Sequence, residues 1–152
     1  MASAVNPNLT NSGMPTRRAD AVDALLILRD INDGAETTNA AETPIMLHVE
    51  ALGSNAIFIN SLGSSGTVDA SNYWTVTVEV ASDAAFTTPT TVATQALAGG
   101  AAEYYIAIDG YMLATIRSEG ATESLYIRCG LTETGTTATD VTYGAYLTPN
   151  YC

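Results

Sequence analysis

The chain has 152 residues, which is enough for one domain that buries a core without help from disulfides or metal ions. Acidic residues outnumber basic ones 16 to 5, all basic residues are arginines, and the formal net charge is −11. Such a surface repels phosphate backbones and anionic lipids, so the composition argues against binding to nucleic acid or to a membrane surface. It is typical of a soluble protein that interacts through neutral or apolar patches.

The chain begins with a polar segment. Residues 1–18 are rich in Asn, Ser and Pro near their start and lack periodicity, so we predict an extended N-terminal arm before a domain that spans 19–152. Residues 19–30 fit a helix by the spacing of Val22, Leu25 and Arg29, whereas the apolar run 25–28 favours a buried strand, which we prefer. This run is too short to cross a membrane, and no signal peptide precedes it, so we expect the product in the cytoplasm where it is made.

Alternating apolar residues then predict a series of short strands. The clearest is 73–81, in which Trp74, Val76 and Val80 fall on one side. The same pattern predicts further strands at 45–49, 57–59, 91–97, 103–108, 125–131 and 141–147, with a loop at 30–43, a turn at 83–89, and turns marked by Gly53, Gly63, Gly66 and Gly135. After Asp109 two structures fit: a hairpin into a strand at 111–116, or one helical turn at 112–117 that Asp109 caps.

Seven to nine short strands with at most one short helix predict an all-β fold. The antiparallel β-sandwich and the jelly roll both have this arrangement of short strands and turns. We therefore expect a single jelly-roll-like antiparallel β-sandwich behind the extended arm.

Residues that could support catalysis or bind a metal are few and scattered. His48 is the sole histidine, and together with Cys129 and Cys152 it forms no recognisable triad or zinc-ligand cluster. The segment 30–36 faintly resembles a calcium loop, but Gly34 comes one position early and no glutamate occupies the twelfth position. We therefore predict no enzymatic activity, no cofactor and no bound metal.

Tyrosines are the residues best suited to a binding function. Seven of the eight lie in the second half of the chain, and tyrosine provides rigid, amphipathic contact area at interfaces. Tyr105, Tyr126 and Tyr146 fall on the polar faces of their predicted strands. If they line one surface, that surface is the candidate contact patch.

Several stretches resemble the capsid cement (decoration) proteins of tailed bacteriophages. In that family a long strand ends in a Ser-Asp-x-x-Phe turn and a Thr/Val-rich strand follows, as in 74–86 and 90–97 here. Residues 125–135 and 141–148 look like the last two strands of the family, and 24–30 like its first. The resemblance implies a jelly-roll-like β-sandwich without catalytic activity.

The resemblance also implies a role in the virion. Family members bind the outer surface of the capsid, bridge neighbouring major-capsid subunits and self-associate into small oligomers. The N-terminal arm and the strand-end loops would make the contacts, and Arg17 and Arg18 are candidates to pair with carboxylates on the shell. The protein would then be made in the host cytoplasm and act on the virion surface.

The main alternative is a recognition module. A carbohydrate- or receptor-binding β-sandwich of a phage fibre or surface would use a tyrosine-lined patch to bind glycans away from the shell. A hydrolase that uses acidic loop residues such as Glu119 and Glu123 is a third hypothesis.

Overall fold

The computed structural model describes residues 26–48, 55–120 and 124–149, and these form an all-β protein with two antiparallel sheets. The strands are β1 (Ile27–Arg29), β2 (Ala40–Ala41), β3 (Ile45–His48), β4 (Asn55–Gly66), β5 (Tyr73–Ala81), β6 (Thr90–Ala96), β7 (Ala102–Ile108), β8 (Ser124–Thr134) and β9 (Ala138–Pro149). A 3₁₀ turn (Ile31–Asp33) follows β1, and one α-helix, α1 (Gly110–Glu119), separates β7 from β8.

The pairing of the strands is nested. The first sheet has the order β1-β9-β4-β7, and the second has the order β2-β8-β5-β6, with β3 also paired to β8. The innermost pairs, which join the strands closest in sequence, are β5 with β6 and β4 with β7. The outer strands then pair around them, β2 and β3 with β8 and β1 with β9. Every pair is antiparallel.

The two sheets share one apolar core. In β5, the four alternate residues Trp74, Val76, Val78 and Val80 are completely buried. The first sheet contributes Ile57, Ile59, Val141 and Tyr143 to the same cluster, the second adds Leu125, Ile127 and Leu131 from β8, and α1 adds Leu113. The period of two in each strand therefore separates an inner apolar face from an outer face, as the sequence predicts.

The predicted strands are present, although β4 is much longer than the predicted 57–59. Gly63 and Gly66 do not mark turns, because both lie inside β4 at points where its register against β9 shifts. Each has a positive φ, +107° at Gly63 and +81° at Gly66. Glycine adopts this conformation without steric cost, and it is common at β-bulges. The strand therefore bends at these glycines and continues. Gly135 does lie in the turn between β8 and β9, whereas Gly53 lies outside the described residues.

The segment after Asp109 is a helix, so the hairpin interpretation is wrong. The Asp109 side chain accepts a hydrogen bond of 2.9 Å from the Tyr111 N–H and caps the first turn. Helix α1 then continues for 10 residues, more than the single predicted turn. Leu113 is the one buried residue of α1. The helix therefore lacks a broad apolar stripe, which explains why its apolar periodicity is weak.

The predicted loop at 30–43 contains short elements of its own. Asp30 caps the 3₁₀ turn, Glu36 forms a backbone bridge with Val141, and β2 pairs with β8. In the preceding segment, the preferred strand is confirmed at Ile27–Arg29, while residues 19–25 and the predicted arm at 1–18 lie outside the described residues.

Candidate contact surface

A row of apolar side chains crosses all four strands of the first sheet. Ile27 in β1 pairs with Tyr146 in β9, Tyr146 pairs with Phe58 in β4, and Phe58 pairs with Tyr105 in β7. We call these four residues the aromatic row. Directly paired residues of adjacent antiparallel strands have neighbouring side chains on the same face, so the row forms a continuous strip.

The aromatic row lies on the outer face of the sheet. The residues on either side of Phe58, Ile57 and Ile59, are fully buried, which places Phe58 on the opposite face. The Phe58 and Tyr146 rings stack with centroids 5.1 Å apart and planes inclined at 30°. Tyr105 remains 53 % exposed at the end of the row. Tyr105 is thus the exposed member of the row, whereas Ile27, Phe58 and Tyr146 are half-buried on the same outer face.

The neighbouring positions give the row a polar border on one side. Asn60, two residues along β4, pairs with Gly144 in β9 and with Glu103 in β7. Gly144 is also where the 3₁₀ turn reaches the sheet, because a Cβ there would lie 2.9 Å from the Cβ of Ile31. Glycine is thus needed at 144 for the turn to pack on this face. The row is bordered by an amide, a carboxylate and the packed turn.

Two of the three predicted contact tyrosines lie together on this surface. Tyr105 and Tyr146 both pair with Phe58, a residue that the sequence analysis did not single out. Tyr126 belongs to the second sheet, where it pairs with Met46 and Ala81. The three tyrosines therefore do not line one surface, because Tyr105 and Tyr146 lie on the first sheet and Tyr126 lies on the second. The period of two shows that a residue faces outward but not on which sheet it does so. Arg17 and Arg18 lie outside the described residues.

The outer face near Tyr126 contains an ion pair with a structural role. Arg128 Nε donates to Glu79 Oε2 at 2.8 Å across β8 and β5. The same guanidinium lies 4.2 Å from the centre of the Phe86 ring. Phe86 is 7 % exposed and has a positive φ of 53°, so this contact covers a buried ring at the unusual backbone position of the loop between β5 and β6. The Ser-Asp-x-x-Phe turn is therefore tied to β8 and β5 through Arg128.

A buried arginine between β1 and the following loop was not recognised from the sequence. Arg29 is 5 % exposed, and its NH1 atom contacts Glu36 at 2.7 Å and Glu42 at 2.6 Å. Its remaining donors bind the carbonyl oxygens of Tyr143 and Gly34 at 3.1 Å and 2.8 Å. Burial acts to lower the pKa of Arg29, but the hydrogen bond and charge of Glu42, with the contribution of Glu36, raise it overall. Arg29 therefore stays charged and ties the loop to β9.

Among the described residues, no three His, Cys, Asp or Glu side chains come close enough together to hold a metal ion. In the stretch that faintly resembles a calcium loop, Asp30 accepts hydrogen bonds from Asn32 and Glu36 binds Arg29. Over the same described ranges, no helix is long and apolar enough to cross a bilayer.

Comparison with known protein sequences identifies no relative from which a function could be inferred. No protein-family model matches the chain, and no curated protein matches it either. Function therefore has to follow from the residues and their arrangement.

Proposed function

We propose that the protein is a structural virion protein, a capsid cement or decoration protein that binds the outer surface of a phage capsid. In this role it bridges neighbouring major-capsid subunits and stabilises the shell, without catalysis. The observation that carries the proposal is the aromatic row, in which the stacked Phe58–Tyr146 pair lies beside the exposed Tyr105 on the outer face of a small, acidic β-domain.

The strand order supports the finer assignment of the fold as a jelly roll. A jelly roll is a long antiparallel hairpin that folds over into two sheets, so that its first and last strands pair and its middle strands form the innermost pair. The nested pairs of this chain follow that scheme, with β1 paired to β9 at the outside and β5 to β6 at the centre. This is the fold class that the resemblance to decoration proteins implies.

The chemistry of the surface favours a protein partner. Aromatic residues are enriched at protein interfaces, and rigid rings lose little conformational entropy when they become buried. With a net charge of −11, the protein is repelled by packaged nucleic acid and is suited to the outside of a shell. Contact through a neutral strip also avoids the cost of desolvating charged groups.

The proposed mechanism is mass action. A protein that binds the assembled lattice but not its free subunits stabilises the lattice in proportion to occupancy and affinity. Copies that contact two subunits at once gain further from effective concentration, so individually weak contacts are sufficient. Self-association into small oligomers, which the resemblance implies, would add to this gain.

Co-sedimentation with expanded shells that lack the protein tests the proposal. We expect saturable binding and a higher temperature of DNA release from filled shells. Tyr105→Ala and Tyr146→Ala should each weaken binding by roughly 30-fold, corresponding to the loss of about 2 kcal/mol that truncation of an interface aromatic produces. The matched control is Tyr111→Ala, because Tyr111 is 79 % exposed but lies on α1, outside the row.

Two results would refute the proposal. Failure of the wild-type protein to bind shells would exclude the decoration role. If Tyr105→Ala and Tyr146→Ala bind shells as strongly as Tyr111→Ala does, the aromatic row is not the contact surface. Circular dichroism of each variant would establish that the fold is retained.

The N-terminal arm remains part of the proposal. Arg17 and Arg18 are the basic residues of an otherwise neutral stretch at 1–19, and they can pair with carboxylates on the shell. The double variant Arg17→Gln/Arg18→Gln should lower affinity most at low ionic strength, since salt screens such pairs. An equal loss at low and high salt would argue against ionic contacts.

A glycan-binding module on a phage fibre or surface is the second candidate, because of the border of the aromatic row. Sugar sites combine an aromatic platform with nearby polar groups, and Asn60 and Glu103 pair with each other beside the row. A glycan array discriminates the two functions. Specific glycan binding that Asn60→Ala abolishes, together with absence of shell binding, would favour this candidate.

A further inference from the structure

The edge strand β6 has backbone groups that point away from its sheet. It is the last strand in the order of the second sheet, and no strand of the described residues pairs with its other side. Leu97 donates its N–H to the Trp74 carbonyl at 2.8 Å, so the alternation of an antiparallel ladder directs the peptide groups of Ala96 and Thr94 outward. The Gln95 side-chain amide donates to the Ala96 carbonyl at 2.8 Å, in agreement with this orientation.

The same strand lacks the features that usually protect an edge. Natural edge strands commonly carry lysine, other charges or proline, which discourage pairing with a further strand. The sequence of β6, Thr90–Ala96, contains none of these, although the protein as a whole has a net charge of −11. This edge is therefore chemically able to accept another strand.

An apolar groove lies at the end of β6. It has a volume of about 410 Å³, and its lining includes Val68, Tyr73, Leu97, Ala98 and Tyr104. Tyr104 is fixed there because its hydroxyl accepts a 2.7 Å hydrogen bond from the Ala98 N–H. The groove is thus formed by positioned side chains beside the outward backbone groups.

The flank between β6 and β7 is incompletely covered. Val92 and Ala93 of β6 and Tyr104 and Ile106 of β7 pack against the core but stay only partly buried. Charged residues beside this flank are acidic, Asp69 at the groove and Glu103 on β7. A segment that covers the flank should consequently be apolar at alternate positions and free of acidic residues.

We propose that β6 is a strand-addition site for an extended segment of the capsid protein. The segment pairs its backbone with Thr94 and Ala96 and inserts an apolar side chain into the groove. Strand addition combines affinity from backbone hydrogen bonds with specificity from side-chain pockets. The inference rests on the proposed function, and Tyr105 of the aromatic row lies on β7, at the edge of the first sheet on this flank.

Hydrogen exchange of the full-length protein, free and bound to expanded shells, tests the inference. We expect the amides of Thr94 and Ala96 to exchange rapidly in the free protein and at least tenfold more slowly in the complex. Ala98→Phe, which fills the groove from an exposed loop position, should weaken shell binding at least tenfold. The matched control is Ala85→Phe, an exposed alanine in the loop at the opposite end of β6, which should bind normally.

The outcomes separate this inference from the proposed function. Shell binding with unchanged exchange at Thr94 and Ala96, and with full affinity of Ala98→Phe, would overturn the strand-addition site and leave the decoration role intact. Absence of wild-type binding to shells would overturn both. Slow exchange at these amides in the free protein would show that this chain or a second copy already occupies β6, which would overturn the assignment to the capsid protein.

Discussion

Replacement of Arg29 by methionine is the most informative test of the interior. The arginine side chain is 2 % exposed, and the carboxylates it binds belong to Glu36, 27 % exposed, and Glu42, 17 % exposed. Its guanidinium also lies 4.9 Å from the centre of the Tyr143 ring. Methionine keeps much of the volume but leaves two neighbouring carboxylates without their cation and removes the Arg29 donor from two carbonyl oxygens.

The expected loss of stability arises because the two carboxylates would stay largely buried without the arginine. Removal of one partner from a buried ion pair destabilises a protein by about 3–5 kcal/mol, because the remaining charge stays buried and unpaired. In a chain of this size, each kcal/mol lowers Tm by roughly 2–4 °C, so Arg29→Met should lower Tm by roughly 10 °C. Neutralising the carboxylates as well, in Arg29→Met/Glu36→Gln/Glu42→Gln, should restore part of the loss.

Urea unfolding followed by tryptophan fluorescence measures the change, since Trp74 is the single tryptophan and lies in the core. Arg128→Met is the matched control, because the Arg128 side chain is 23 % exposed against 2 % for Arg29, and it binds one carboxylate instead of two. Its loss of stability should be the smaller one, because solvent screens a more exposed ion pair. Equal losses for Arg29→Met and Arg128→Met would refute the argument. So would a triple variant that is no more stable than Arg29→Met.

Three further predictions concern the core, the helix and a bulge. Burial, reinforced by the charge of Glu42, raises the pKa of the Cys129 thiol from 9.0 to about 12, so the folded protein retains a proton that the unfolded chain releases. The free energy of unfolding should therefore fall as the pH rises from about 9 to about 12, and this decrease should be smaller in Cys129→Ala. In a Cys152→Ser background, a thiol reagent should label Cys129 only after unfolding. Asp109→Ala should cost about 1 kcal/mol in urea unfolding, and Asp109→Asn much less, because asparagine can also cap α1; equal costs would contradict the capping role. Gly66→Ala should lower the free energy of unfolding by more than about 2 kcal/mol, since φ is positive and a Cβ would collide with the Thr137 carbonyl. Gly100→Ala, where a Cβ would lie in open space, should be close to neutral. Similar melting temperatures for the two variants would contradict the bulge geometry.

The sequence predicted the parts of the fold that depend on local alternation. In β5, β-branched and aromatic residues alternate without interruption, so propensity and pattern agree and the predicted bounds, 73–81, match the strand. The strands predicted at 125–131 and 141–147 lie within β8 and β9 for the same reason. Both are long strands with one buried face, and such strands specify their register strongly.

Features that depend on contacts between distant residues were missed. The Arg29 cluster joins positions up to 114 residues apart, and an arginine after an apolar run gives no local sign of such partners. Gly63 and Gly66 lie in a segment rich in glycine and serine, which is typical of turns. Only the pairing of β4 with β9 identifies them as bulges. The aromatic row likewise requires the strand order, which decides that Tyr105 and Tyr146 meet at Phe58 while Tyr126 lies on the other sheet.

The nested pairing has a consequence for how the protein acquires its structure during synthesis. The last two strands of the described chain, β8 and β9, occupy interior positions, with β8 between β2 and β5 and β9 between β1 and β4. On the ribosome, β1 to β3 therefore emerge long before the strands that they pair with. The second sheet cannot be completed until β8 has been translated, and the first cannot be completed until β9 has been translated. Loop closure over such separations makes folding slow. Until then, β4 and β5 can pair only with β7 and β6, and their apolar faces lack the neighbouring strands β9 and β8. The nascent chain is therefore the stage most exposed to aggregation.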